Sequence, residues 1–268
     1  MNLIKKLQDK KIKINLPIVI DEPLNIDATD QYTVGGAKNS GKSYLLSYVA
    51  NKMPSCVLFD SRWERYTKKD KRAISEKALQ MPDKWEVVYS PEHLRLALYR
   101  GKTHIIYHPE PLRRGKRDKK DLINEFDDVC QIIFEWKDIF FVIDEADNVC
   151  DSHHVTEGFH NIMEYGKHAN IGIMAGTRRL QHLNPRVPRL SSGLFIFRIS
   201  AKDFKYIYEF LPSDEYKDNE INNSEYNPHN ISYEKNLRKK LTQQDDRYYH
   251  YFDGKQLQEY EPIKEEII

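Results

Sequence analysis

Short apolar runs alternate with helix-like patterns along most of the chain. Runs typical of buried strands occupy residues 55–60, 86–89, 104–108, 139–143, 171–175 and 193–200. Apolar residues at helical spacing follow several of these runs, at residues 92–100, 156–168 and 204–211. Strands that alternate with helices are typical of a parallel sheet covered on both faces. We therefore predict an α/β fold with a mostly parallel sheet and helices on both faces.

The two ends of the chain depart from this alternation. Residues 1–25 open with a basic stretch and are predicted to form an extension that precedes a core at residues 26–211. Residues 212–268 begin with a polar, asparagine-rich stretch and are predicted to form a C-terminal appendage. This appendage should end in a β-hairpin, because two strand-like runs flank Asp253 and Gly254, which together make a good two-residue turn.

The segment from Tyr32 to Val49 combines a strand, a glycine-rich loop and a helix. Its loop has the pattern GxxxxGKS. Glycines let backbone N–H groups face phosphate oxygens, and the N-terminus of the following helix favours anions. Lys42 is expected to reach the β- and γ-phosphates, and the Ser43 hydroxyl to bind Mg²⁺. The residues predicted to bind the nucleotide are Gly36, Ala37, Lys38, Asn39, Ser40, Gly41, Lys42, Ser43 and Tyr44.

A second motif places two adjacent carboxylates after the apolar run 139–143. Asp144 is expected to hold Mg²⁺ through water, and Glu145 to orient and deprotonate the attacking water. A carboxylate that is not occupied by the metal favours hydrolysis over transfer to an acceptor. The chain lacks the Asn-Lys-x-Asp pattern of guanine recognition, so ATP is preferred to GTP.

Two further stretches carry candidate chemistry. Thr177 and Arg178 follow the strand 171–175, where a polar side chain can sense the γ-phosphate through a hydrogen bond. Residues 109–121 hold the densest positive charge in the chain and are predicted to form an exposed loop. This loop can grip a phosphate backbone, supply an arginine to a neighbour's nucleotide, or simply be solvated.

Composition narrows the possible functions only a little. The 42 lysine and arginine residues nearly cancel the 41 aspartate and glutamate residues, so the net charge of +1 gives no argument for nucleic acid or a membrane. Any basic surface must therefore be local. Cys56, Cys130 and Cys150 lack metal-binding spacing and are expected to be core residues of a protein in a reducing compartment.

Targeting signals are not evident in the sequence. The longest apolar runs have about five residues, far below the roughly 20 that a membrane span requires. No signal peptide is visible. We expect a soluble protein of the cytoplasm, either of a host cell or, for a viral protein, associated with the virion.

Four segments together resemble the FtsK–HerA superfamily of P-loop ATPases. They are GGAKNSGKS, FDSRWE, FFVIDEAD and EYGKHANIGIMAGTRRLQHLNPRV, and the resemblance spans residues 30–210. Within the superfamily the chain is most similar to the viral and mobile-element branch, which includes DNA-packaging ATPases and zonula occludens toxin-like proteins. The resemblance implies a RecA-like core that assembles as a ring, commonly a hexamer, with ATP between subunits and duplex DNA in the channel.

The resemblance also assigns roles to individual residues. Lys42 and Ser43 match the phosphate and Mg²⁺ ligands, Asp144 the metal-binding acid, Glu145 the residue that activates water, and Thr177-Arg178 the sensor. Many members have Gln where this chain has Arg178. The family's arginine finger lies between the two ATP motifs, where the candidates are Arg62, Arg65, Arg95, Arg113, Arg114 and Arg117.

These observations predict an ATP-hydrolysing oligomeric motor that moves double-stranded DNA, with viral genome packaging as the specific case. Two alternatives stay open at this point. One is a non-motor ATPase for assembly or secretion that acts on a protein partner, of which a viral capsid is an example. The other is a nucleotide-gated binding module that scarcely turns over.

Overall fold

The computed structural model describes most of the predicted core, three residues before it and parts of the C-terminal region. The described residues are 19–20, 24, 26–61, 66–68, 79–109, 118–208, 238–243, 248–254 and 257–260. A membrane-spanning helix is not found in these ranges, since none of their helices is both long and apolar enough.

A nine-stranded sheet forms the centre of the molecule, with the order β13-β12-β11-β3-β10-β9-β4-β8-β7. Every neighbouring pair from β11 to β7 is parallel, which confirms the predicted mostly parallel sheet. Two small sheets, β1-β2 and β5-β6, are not hydrogen-bonded to it. The strands are β1 Val19–Ile20, β2 Ile26–Asp27, β3 Gln31–Gly35, β4 Cys56–Asp60, β5 Tyr66–Lys68, β6 Leu79–Met81, β7 Glu86–Val88, β8 His104–Tyr107, β9 Ile139–Asp144, β10 Ile171–Thr177, β11 Gly193–Phe197, β12 Tyr249–Phe252 and β13 Leu257–Tyr260.

Helices cover both faces of the sheet, as predicted. They are α1 Lys42–Lys52, α2 Pro91–Tyr99, α3 Lys119–Trp136, α4 Glu157–Tyr165, α5 Arg186–Leu190 and α6 Ala201–Tyr208. Residues of α1 share one apolar cluster with Phe140 and Val142 of β9. Residues of α2, α3 and α4 share another with Phe141 and Ile143. Because successive side chains of a strand point to opposite faces, the central strands are buried on both sides.

Helix α3 replaces part of the predicted basic loop. Lys119 and Lys120 belong to its first turn, so the prediction of a loop extending to residue 121 was wrong. The helix begins with a capping box, in which Asp121 N–H donates to the Asp118 carboxylate and Asp118 N–H donates to that of Asp121. Lys119 pairs with Asp151 at 2.6 Å, and this ion pair lowers the pKa of the Asp151 carboxyl.

The predicted C-terminal hairpin is present and extends the core sheet. Strand β12 pairs antiparallel with both β11 and β13, so the hairpin adds two strands to the parallel core. Phe252 is the partner of Leu257, so four residues separate the two strands where the sequence predicted a two-residue turn. The three cysteines are free and buried, as expected of core residues.

Candidate functional site

The glycine-rich loop joins β3 to α1 and is held in shape by close packing. Gly41 has φ of 103°, in the left-handed region that favours glycine. A Cβ atom on Gly36 would lie 2.6 Å from the Cβ of Phe197 and 2.9 Å from the hydroxyl of Ser40. The N–H of Ala37 donates to the carbonyl oxygen of Arg198 at 2.7 Å, which anchors the loop to the end of β11.

Lys42 lies inside this loop. Its ammonium donates to the carbonyl oxygens of Gly36 and Ala37 at 2.7 and 2.8 Å, and the side chain is almost fully buried. The backbone therefore surrounds a positive charge at the N-terminus of α1, a location that favours anions. Of the other loop residues assigned to the nucleotide, Lys38 and Asn39 are exposed, whereas Tyr44 is half-buried.

Ser43 and Asp144 meet between α1 and β9. The Ser43 hydroxyl donates to the Asp144 carboxylate at 3.1 Å, across 101 residues of sequence, and both side chains are buried. Hydroxyl and carboxylate oxygens are ligands that Mg²⁺ prefers. The donor set predicted from two separate motifs is brought together, and it fits this metal.

Glu145 directly follows β9 in a left-handed backbone conformation, with φ of 56° and ψ of 53°. Its carboxylate accepts from the Arg178 guanidinium at 2.6 Å, and only 3% of the Glu145 side chain is exposed. Strands β9 and β10 are parallel neighbours, so both residues stand at the same edge of the sheet. The structure thus joins two of the predicted catalytic residues in one ion pair.

Thr177 ends β10 and is fully buried. Its hydroxyl donates to the Asp147 carboxylate at 2.9 Å and accepts the N–H of Arg179 at 3.1 Å. The predicted sensor residue is therefore bonded on both sides to the segments that carry Glu145 and Arg178.

Three further polar residues lie at this edge. From the sequence, Asp60 was open to facing the nucleotide, facing a neighbouring subunit or being an ordinary loop acid, whereas Ser61 and Asn148 received no role. Ser61 donates to the carbonyl oxygen of Asp144 at 3.0 Å and accepts from the Asn148 amide at 2.9 Å. Asp60 ends β4 beside Asp144 and lies 3.5 Å from His108. The FDS ending of β4 was a signal for Asp60 and Ser61, since ligands bind beyond the carboxyl ends of parallel strands.

Of the six arginine-finger candidates, one lies within the described residues. Arg95 lies on the exposed surface of α2 and pairs with Glu135 of α3 at 2.7 Å. The other five candidates lie outside the described residues: Arg62, Arg65, Arg113, Arg114 and Arg117.

Comparisons with known proteins found similarity in structure. No protein-family model and no curated protein matches the sequence. The genome-packaging NTPase B204 of Sulfolobus turreted icosahedral virus 2, in complex with ATPγS, aligns with a TM-score of 0.58 and 18% identity, over 89% of this chain and 100% of that one. B204 of Sulfolobus turreted icosahedral virus, a DNA-packaging ATPase, gives 0.53 and 20%, over 88% and 98%.

VirB4 of Thermoanaerobacter pseudethanolicus aligns with a TM-score of 0.54 and 10% identity, over 90% of this chain and 93% of that one. The similarity in each case extends over most of both chains, and TM-scores above 0.5 show a shared fold although the identities are 20% or less. The chain therefore has the P-loop ATPase fold that its motifs predict, and its structural neighbours include viral genome-packaging ATPases.

Proposed function

We propose that this protein binds and hydrolyses ATP at the edge where β3, β9 and β10 end. The observation that carries the proposal is the hydrogen bond between Ser43 and Asp144, because it unites the two motifs that ATP hydrolysis requires. Lys42 would bind the β- and γ-phosphates together with the N–H groups of the loop. Glu145 would accept a proton from the attacking water.

Ser43 and Asp144 would hold Mg²⁺, Asp144 acting through water. The ion, when bound, neutralises charge on the phosphates. Thr177 would position the segments that carry Glu145 and Arg178. Arg178 would sense the γ-phosphate and hold the Glu145 carboxylate in place. We assign this ATPase unit to residues 26–211, and the C-terminal hairpin extends its sheet.

We further propose that the hydrolysis drives movement of double-stranded DNA by a ring of subunits, with genome packaging as the specific case. The similar fold of the B204 packaging ATPases and the Thr177-Arg178-Arg179 segment support this. A cytoplasmic or virion-associated location is consistent with it. The second candidate is an ATPase that acts on a protein partner, and the near-zero net charge favours it.

Steady-state ATP hydrolysis, with and without duplex DNA at moderate salt, tests the proposal. We expect turnover that depends on Mg²⁺, rises with DNA and disappears in Lys42→Ala. ATP turnover that does not change with DNA but responds to a protein partner would favour the second candidate. Lack of turnover under all conditions would contradict both.

A further inference from the structure

A second polar region lies outside the ATP site, where three segments distant in sequence pack on one apolar cluster. Leu180 belongs to the turn after β10, Phe204 to α6, and Leu241 to the helical residues 238–243. The N–H of Ile199 donates to the carbonyl oxygen of Leu241 at 3.0 Å, which ties the last segment to the end of β11. The surfaces of the three segments are therefore held side by side.

The outward side chains of these segments are basic. We define the basic surface as the exposed residues Arg179, His182, Lys202, Lys205, Arg238, Lys239 and Lys240. Lys202 and Lys205 share one face of α6, because residues three apart on a helix are neighbours. None of the seven makes an ion pair with a carboxylate in the part of the chain that the structure describes.

The composition of the basic surface favours a nucleic acid over a protein partner. Protein interfaces have aromatic and apolar centres and are depleted in lysine. The large apolar side chains that are exposed among the described residues are Tyr89, Leu96, Tyr165 and Leu190, and none belongs to the basic surface. Interfaces with DNA are polar and strongly positive, and lysine and arginine contact mainly phosphates.

The basic surface is better suited to duplex DNA than to single-stranded DNA. Proteins that bind single strands stack bases on aromatic side chains. The basic surface contains no such side chain apart from the imidazole of His182.

The turn after β10 connects this surface with the ATP site. Arg179 directly follows Arg178, which pairs with Glu145. On the other side, Leu180 packs against Gly35 at the start of the phosphate loop, closely enough that a Cβ atom on Gly35 would collide with it. One short segment thus contacts the ATP site and carries part of the basic surface.

We propose that the basic surface binds the phosphate backbone of double-stranded DNA without reading its sequence. This inference rests on the proposed DNA motor and names the side chains through which that motor would contact its substrate.

A matched pair of triple variants tests the inference. The test variant is Lys202→Gln, Lys205→Gln and Lys239→Gln. The control loses the same charge from exposed lysines elsewhere, through Lys52→Gln, Lys102→Gln and Lys137→Gln. Binding of a fluorescein-labelled duplex is followed by anisotropy, without ATP, between about 50 and 200 mM NaCl. Thermal melting checks that both variants fold.

Loss of three phosphate contacts should make the negative slope of log affinity against log salt shallower by about 2.7, and weaken binding at least about tenfold at the lower salt. The control should keep the wild-type slope. Unchanged binding by the test variant, or equal losses in both variants, would overturn the inference. So would tighter binding of polyglutamate than of a duplex of equal charge, which would indicate an acidic protein partner.

ATP hydrolysis measured in parallel separates this inference from the proposed function. Duplex binding that depends on the basic surface, in a protein that never turns over ATP, would refute the motor and support the surface. DNA-stimulated hydrolysis that persists undiminished in the test variant would support the motor and refute the surface.

Discussion

The ATP site and the basic surface use charged side chains in opposite ways. Lys42, Asp144 and Glu145 are 1–4% exposed, and each is held by a hydrogen bond or an ion pair within the chain. The lysines and arginines of the basic surface are exposed and solvated. Buried charges are costly without partners, whereas exposed ones change stability little. Substitutions at the ATP site should therefore change ATP hydrolysis or folding. Substitutions on the basic surface should leave folding unchanged and lower the affinity for DNA.

The largest effect is expected from Glu145→Gln. If Glu145 activates water, its loss should lower ATP turnover by about 10²- to 10⁴-fold. Glutamine has nearly the same shape, so binding of a non-hydrolysable ATP analogue should stay close to wild type. Glu135→Gln removes an exposed glutamate and serves as control. Turnover within about threefold of wild type in Glu145→Gln would fall outside the range of general-base catalysis and contradict the assignment.

Arg178→Ala should show how much the ion pair with Glu145 contributes to the free energy of unfolding. Removing one partner of a buried ion pair costs about 3–5 kcal/mol, and the 26% exposure of Arg178 reduces the expected loss to about 2–3 kcal/mol. Urea unfolding measures this free energy. Arg95→Ala, which breaks the exposed pair with Glu135, should cost about 0.5 kcal/mol or less. Equal losses in the two variants would show that burial does not distinguish the pairs.

Gly36→Ala tests the packing of the phosphate loop. The new methyl would meet Phe197 and Ser40, so the loop must shift, and we expect ATP affinity to fall about tenfold or more. Gly254→Ala is the matched control, because no atom lies within 4 Å of a Cβ placed there, although its positive φ adds strain. Isothermal titration with an ATP analogue compares the two. Normal affinity in Gly36→Ala would show that the loop tolerates the methyl group.

A smaller effect, on folding stability and independent of both regions, is expected from a change in pH. Burial first, and then the charge of Lys84, lower the pKa of His104 from 6.5 to about 4. Between these values the unfolded chain binds a proton that the folded chain does not, so stability falls as pH decreases through this window. We expect His104 to account for about 1–2 kcal/mol of the loss between pH 7 and pH 5. Urea unfolding at both pH values should show a smaller loss of stability in His104→Gln than in the wild type. Equal losses would show that His104 does not cause the pH dependence.

Features encoded by neighbouring residues were the ones that the sequence made predictable. The phosphate loop and the Asp144-Glu145 pair are continuous in the chain, and the alternation of strands and helices needs only local patterns. Helix α3 escaped prediction because its first turn, with Lys119 and Lys120, continues the basic stretch before it. The capping residue Asp118 was the available signal.

Most contacts between distant segments required the structure; the meeting of Ser43 and Asp144, which a shared Mg²⁺ implies, is the exception. The Arg178–Glu145 ion pair depends on β9 and β10 being adjacent, which neither motif reveals alone. The basic surface depends on Leu180, Phe204 and Leu241 packing together. Its charged residues are dispersed in sequence. The sequence therefore pointed to the dense basic run at residues 109–121 as the candidate for binding DNA.

The two-sided burial of β9 also limits how the chain can change in length. Phe140 and Val142 face one apolar cluster, and Phe141 and Ile143 the other. An insertion of a single residue before Asp144 would exchange the two sets or turn the Asp144 carboxylate to the opposite face, away from Ser43. Insertions or deletions in this strand that preserve the site must therefore come in pairs, and odd changes in length must be absorbed in the loops on either side.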